Sequence, residues 1–278
     1  MELSISEKLT YCTVRLVCTN LHGGVSVGTG FILNVCVEGD TSVPIIVTNK
    51  HVINGFGRVE FEFCLKNEDG TPNDLKTHKI TINNPQWVYH PNQNVDLCCL
   101  PLAAVLNHIK KSHIQLFYIP IGLNLLPSDE TVEKLGAMEE IVMIGYPIGL
   151  MDDYNHKPII RKGITATHIK KNYCGRNEFL VDAACFPGSS GSPIFIVNEG
   201  GYSYGSQLYL GSRVFLVGIL YGGPQYNAQG DIVFSNISNL KAQTNIPTNL
   251  GVAIRANELK EFETIFYQIL AKTQKEPQ

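Results

Sequence analysis

Three short segments of this 278-residue chain carry side chains that together could cleave an acyl bond. The first is Phe186-Pro187-Gly188-Ser189-Ser190-Gly191-Ser192-Pro193, a small glycine-flanked turn that enters the apolar run 194–197. A serine hydroxyl is a weak nucleophile and needs a base to take its proton. It also needs backbone N–H groups aimed at the developing oxyanion, and glycines let the chain turn tightly enough to present them. Alone, the segment reads equally well as a Gly/Ser-rich hairpin loop. The second segment is Pro44-Ile45-Ile46-Val47-Thr48-Asn49-Lys50-His51-Val52-Ile53, in which His51 ends a strongly apolar run. A lone histidine in such a place is more often structural. The third is Asn94-Val95-Asp96-Leu97-Cys98-Cys99-Leu100, where Asp96 leads into a buried-looking run. Alone it reads as a turn residue or a cap.

Together the three mean more. His51, Asp96 and Ser190 follow one another at separations of 45 and 94 residues. A serine nucleophile, a histidine base and a carboxylate to orient it form a complete catalytic set. The order His…Asp…Ser differs from the Ser…Asp…His of α/β-hydrolases and the Asp…His…Ser of subtilisins. A hydrolase elbow, Gly-x-Ser-x-Gly, would also need glycine at 192, where this chain has Ser192.

The elements that must position these residues are short β-like runs rich in Val, Ile, Phe and Tyr, separated by Gly, Pro, Asn and Asp. One batch covers 13–19, 30–35, 44–48, 59–65, 79–82 and 96–102. A second covers 140–146, 159–167, 179–184, 192–197, 214–221 and 250–254. Many short strands at this spacing predict closed sheets or a sandwich. The boundary is expected within 103–137, where strand character is weaker. Two helices are predicted, at 103–111 and 257–272. In the second, Leu259, Phe262, Ile265, Phe266, Ile269 and Leu270 share one face, and Asn257 is the expected N-cap. That stripe is most simply a helix packed on the body.

Composition narrows the function. Apolar residues make up 44% and charged residues 17%, which is globular rather than disordered. The net charge of −3 provides no basic field for nucleic acid, and the longest basic clusters are the pairs Lys110-Lys111 and Lys170-Lys171. No run is apolar enough for a membrane span, and the N-terminus lacks the basic-then-apolar pattern of a secretion signal. The eight cysteines, Cys12, Cys18, Cys36, Cys64, Cys98, Cys99, Cys174 and Cys185, are therefore expected to be free thiols in a reducing, cytoplasmic compartment. On a strand, the adjacent Cys98 and Cys99 would point to opposite faces. Metal ligation is not expected: Cys12/Cys18 and His108/His113 are spaced too loosely for zinc pairs, and no second pair matches. Residues 24–30 lack both the Walker lysine and the third dinucleotide glycine, so no nucleotide cofactor is expected.

At this point the chain resembles the chymotrypsin-like (trypsin-fold) serine peptidases, above all bacterial non-secreted domains related to the HtrA branch. The resemblance rests on Gly28-Thr29-Gly30-Phe31, Val47-Thr48-Asn49-Lys50-His51-Val52, Val95-Asp96-Leu97, Ile144-Gly145-Tyr146-Pro147, Arg161-Lys162-Gly163-Ile164, residues 186–195, Val217-Gly218-Ile219 and Gly251-Val252-Ala253-Ile254. It implies an all-β molecule of two six-stranded antiparallel β-barrels with a C-terminal helix. The N-terminal barrel (1–115) would carry His51 and Asp96. The C-terminal barrel (116–256) would carry Ser190, and 257–278 would be helix and tail. It also implies an oxyanion hole from the N–H groups of Gly188 and Ser190, no cofactor, and a protein or peptide substrate. By family position Ala184 would floor the primary pocket, with Gly223 and Gly251 along its walls, so an uncharged residue would precede the cut. Asp182 is two positions from that floor.

The departures are informative too. Secreted relatives often have cysteine where this chain has Val52 and Phe186, and secreted zymogens carry aspartate where Ser189 stands. Activation by a newly cut N-terminus is therefore not expected; the catalytic turn would be ordered constitutively or by a regulatory partner. HtrA proteins append PDZ domains, for which no residues remain. Relatives of this kind also act as effectors in bacterial defence. The competing expectations are a catalytically silent trypsin-fold docking module and an esterase.

Overall fold

The structure, a computed structural model, describes residues 3–204, 207–234 and 237–273. A short N-terminal helix α1 (Ile5–Leu9) leads into β1 (Thr13–Thr19), β2 (Val25–Glu38) and β3 (Thr41–Thr48). After helix α2 (Lys50–Ile53) come β4 (Arg58–Lys66), β5 (Pro72–Asn83), β6 (Val88–Tyr89) and β7 (Cys98–Pro101). Helix α3 (Ala103–Lys111), the short strands β8 (Leu116–Phe117) and β9 (Ile121–Gly122), and helix α4 (Asp129–Lys134) follow. The second half holds β10 (Glu140–Gly145), β11 (Ile159–Thr165), β12 (Glu178–Asp182) and β13 (Pro193–Asn198). It continues with β14 (Gly201–Tyr204), β15 (Gln207–Leu210), β16 (Arg213–Gly222), β17 (Gln225–Phe234), β18 (Ile237–Pro247), β19 (Leu250–Arg255) and helix α5 (Lys260–Thr273).

The second half closes into a barrel in the order β10-β11-β12-β19-β16-β13. Its interior is filled by Ile141, Met143, Phe179, Val181, Ile194 and Ile196, alternate residues that the strand pleat turns inward. The first half is the other β unit of the expected two-barrel fold. Its nine strands form a sheet that runs β5-β4-β1-β2-β3-β7-β6, with β8 on β4 and β9 on β2, and it does not close by hydrogen bonds. The expected division after residue 115 falls inside this sheet, because β8 and β9 complete it.

A third apolar cluster joins the halves. Phe31, Leu33 and Ile45 of the first sheet meet Phe195, Leu216 and Ile254 of the barrel and Leu259, Phe262 and Phe266 of the C-terminal segment. Helix α5 thus packs the first part of its apolar stripe, Phe262, Ile265 and Phe266, on the body, while Ile269 and Leu270 of the expected stripe are exposed. Its entry differs from expectation: a 3-10 turn, Ala256–Leu259, precedes it, and Asn257 lies within that turn rather than capping it. The Asn257 side-chain oxygen accepts from Asn177 Nδ2 at 2.9 Å instead. All eight cysteines are free thiols. Cys98 and Cys99 do face opposite ways, Cys98 into the first sheet's own core and Cys99 into the joint cluster. Two hairpins that the sequence reading passed over, β14–β15 and β17–β18, pair only within themselves. Residues 274–278 of the expected tail lie outside the described residues.

Candidate active site

Helix α2 is 4 residues long and presents His51 at the end of β3. Several bonds bring the loop before β7 against it. Buried Asn49 donates from Nδ2 to the Asp96 carbonyl at 2.8 Å. Lys50 Nζ donates to the carbonyls of Asn92 and Gln93 at 3.3 and 3.4 Å. The Asp96 carboxylate then meets His51 twice. Its Oδ1 accepts the His51 backbone N–H at 3.2 Å, and its Oδ2 lies 2.5 Å from ring Nδ1. That pairing assigns the ring proton to Nδ1 and leaves the Nε2 lone pair free to act as a base. The His51 side chain is 49% exposed, so it faces the solvent side of the site. Gly28 makes room for the arrangement: a Cβ there would stand 2.5 Å from Val52 Cγ1.

Ser190 lies in the turn between β12 and β13, and each peptide of that turn is held from one side. The Pro187 carbonyl accepts from Ile148 N at 2.6 Å. The Gly188 carbonyl accepts from Thr29 Oγ1 at 3.0 Å, and Ser189 N donates to Phe186 O at 3.0 Å. The Ser189 carbonyl accepts from Ser192 N at 3.0 Å, and the Ser190 carbonyl from Thr29 N at 2.8 Å. A trans peptide points its N–H opposite to its C=O. With the Pro187 carbonyl bonded to Ile148 and the Ser189 carbonyl bonded within the turn to Ser192, the N–H groups of Gly188 and Ser190 point away from those partners. Neither donates to an acceptor among the described residues. Two outward N–H groups flanking a hydroxyl can stabilise an oxyanion.

Thr29 also ties this turn to the histidine. Its carbonyl accepts from Thr48 Oγ1 at 2.8 Å, three residues before His51. The Ser190 side chain is half-buried and, among the described residues, makes no hydrogen bond. Such catalytic contacts are often long before substrate arrives. Where zymogens carry an aspartate, the Ser189 hydroxyl is buried without a protein partner.

A cleft of about 220 Å³ opens beside Ser190, lined by Cys185, Phe186, Leu220, Gly223 and Leu250 among others. Of the expected pocket residues, Gly223 lines it and Ala184 and Gly251 do not. The Ala184 carbonyl accepts from Arg161 Nη1 at 2.5 Å, and the next residue, Cys185, supplies the wall. Gly251 lies behind that wall, where a Cβ would stand 2.5 Å from Cys185 Sγ and 2.6 Å from Leu220 Cδ1. Asp182 is exposed on β12, paired with Ile164 and Leu250. Burial pushes the Cys185 thiol up to about 11, so it is neutral near pH 7. The sequence reading missed Cys185, Leu250 and the full role of Thr29. Strand alternation could have pointed to Leu250, but the bonds of Thr29 to Tyr146, Gly188 and Ser190 run to residues more than a hundred positions away. Among the described residues no three His, Cys, Asp or Glu side chains gather as a metal centre requires.

This arrangement is that of a trypsin-like hydrolase, and the chain belongs to the family of trypsin-like peptidase domains, whose model matches residues 28–205 and so spans His51, Asp96 and Ser190. Among solved structures it is similar to the active form of the Rv3671c protease from M. tuberculosis, at 15% identity and a TM-score of 0.43, covering 90% of this chain and 78% of that one. It is also similar to the HtrA-type protease AlgW with a tripeptide, at 17% identity and a TM-score of 0.45, covering 89% of this chain and 57% of that one. No curated protein matches the sequence.

Proposed function

We propose that this protein is a serine endopeptidase. Ser190 Oγ attacks the scissile carbonyl as His51 Nε2 takes its proton, and Asp96 holds the imidazole and stabilises its charged form. The N–H groups of Gly188 and Ser190 receive the oxyanion. Collapse of the tetrahedral intermediate breaks the C–N bond as His51 returns the proton to the leaving amine; water, deprotonated by His51, then hydrolyses the acyl-enzyme ester, freeing the acid product and restoring the Ser190 hydroxyl. The observation that carries this reading is the turn itself: its carbonyls are held by hydrogen bonds, leaving those two N–H groups open beside the nucleophile. The eight free thiols support a reducing, cytoplasmic setting, and regulation by a partner protein belongs to the same proposal.

The test is covalent labelling with a fluorophosphonate, which needs both an activated serine and an oxyanion site. Wild type is expected to label and Ser190→Ala not to. A folded wild type that labels no faster than the variant would overturn the proposal in favour of a docking module.

A further inference from the structure

The Thr29 hydroxyl sits in β2, far in sequence from the turn it touches, and it is fully buried. Its Oγ1 makes two hydrogen bonds, both at 3.0 Å: it donates to the Gly188 carbonyl and accepts the Tyr146 backbone N–H. Each bond governs one arm of the Ser190 turn. The first holds the Gly188–Ser189 peptide directly. The second fixes Tyr146 at the mouth of the turn Pro147–Gly149, whose Ile148 N–H grips the Pro187 carbonyl. That grip aims the Gly188 N–H outward. One hydroxyl therefore stands behind the peptides on both sides of Gly188.

Other features show that the space is shaped for this group. A Cβ on Gly145 would stand 2.7 Å from Thr29 Oγ1, and one on Gly191 would stand 2.0 Å from the Thr29 carbonyl. A buried carbonyl and N–H left without this hydroxyl would seek partners by moving. We infer that Thr29 is a positioning residue whose hydroxyl sets the orientation of the Gly188 N–H, one of the two oxyanion donors, and of the peptide that follows it. In secreted zymogens the corresponding turn is ordered through an aspartate; here a side chain of the other β unit does so from behind. The inference rests on the peptidase reading for its catalytic consequence, but its structural content stands independently.

The test compares Thr29→Val, which keeps the shape and removes the hydroxyl, with Thr29→Ser, which keeps the hydroxyl. Fluorophosphonate labelling is resolved into the maximal rate and the half-saturating probe concentration. For Thr29→Val the maximal rate is expected to fall by about 10- to 100-fold, the cost of a small misplacement of reacting groups. The half-saturating concentration should change less than about threefold, since the pocket is untouched, and Thr29→Ser should recover the rate to within about threefold. Amide exchange across residues 186–191 should be faster in Thr29→Val than in Thr29→Ser. If Thr29→Val does not fold, Thr29→Ala against Thr29→Ser makes the same comparison.

A folded Thr29→Val that labels at the wild-type rate, or a Thr29→Ser that fails to recover it, overturns the inference. A wild type that does not label at all sinks the peptidase reading instead. The exchange comparison then decides this one, with equal exchange in the two variants overturning it.

Discussion

Ser190 is reactive only as part of a turn that few residue types can build. Gly188 has φ +88°, and a Cβ there would meet Tyr146 O at 2.6 Å and Ile148 N at 2.9 Å, backbone atoms that cannot swing aside. Gly191 has φ +87° and lies against the Thr29 carbonyl. The motif was visible in the sequence because these demands leave almost no alternative to glycine. The pocket was less visible. In extended chain, neighbouring side chains face opposite ways, so an offset of one residue exchanges Ala184 for Cys185. Both choices leave the lining uncharged, and the raised thiol keeps it so near pH 7. Profiling with a peptide library is therefore expected to select small or apolar residues before the cut. Enrichment of Lys, Arg, Asp or Glu there would contradict the pocket as drawn.

At the level of elements, the 3-10 turn before α5 is clamped to the loop that carries Asp96. His90 Nε2 lies 3.2 Å from Glu258 Oε2, Asn177 Nδ2 donates to Glu258 Oε1 at 2.6 Å, and His90 N donates to Leu97 O at 3.0 Å. The His90 contact, with help from Asn177, holds the Glu258 carboxyl below its ordinary value of 4.5. A group with a depressed folded pKa stabilises the fold fully above its ordinary range, and that stability is lost as pH falls through the folded value. Melting temperature measured across the carboxylate range should thus decline with acid in wild type. Glu258→Gln should start lower at neutral pH and decline less steeply below 4.5. Parallel curves would show that Glu258 does not carry this dependence.

For the whole molecule, the joint cluster decides how the two β units behave. Phe262 is fully buried among side chains of both units, so neither half can lose its fold without exposing surface of the other. Replacing it with alanine should cost about 3–5 kcal/mol, the range for a large aromatic removed from a core. Wild-type unfolding should be a single transition by both circular dichroism and tryptophan fluorescence. The lone tryptophan, Trp87, packs against the first sheet's own core, so fluorescence reports that unit. Two transitions separated by probe would show that the halves are independent.

Local chemistry settled much of this in the linear chain. Alternating Val, Ile and Phe between turn residues marked the β-rich halves, and the apolar stripe marked α5, because these patterns follow from periods of 2 and 3.6 residues. His51, Asp96 and Ser190 were legible for a similar reason: their chemistry restricts what can stand there and beside them. What depended on contacts between distant segments was not legible. The first sheet takes β8 on β4 and β9 on β2, pairings between segments far apart in the chain. Asn257 gives up a cap for a bond to Asn177, 80 residues away. Thr29 reaches Gly188 across 159 residues. Side chains take their partners from whatever tertiary folding brings within hydrogen-bond reach, and spacing along the chain does not encode that distance.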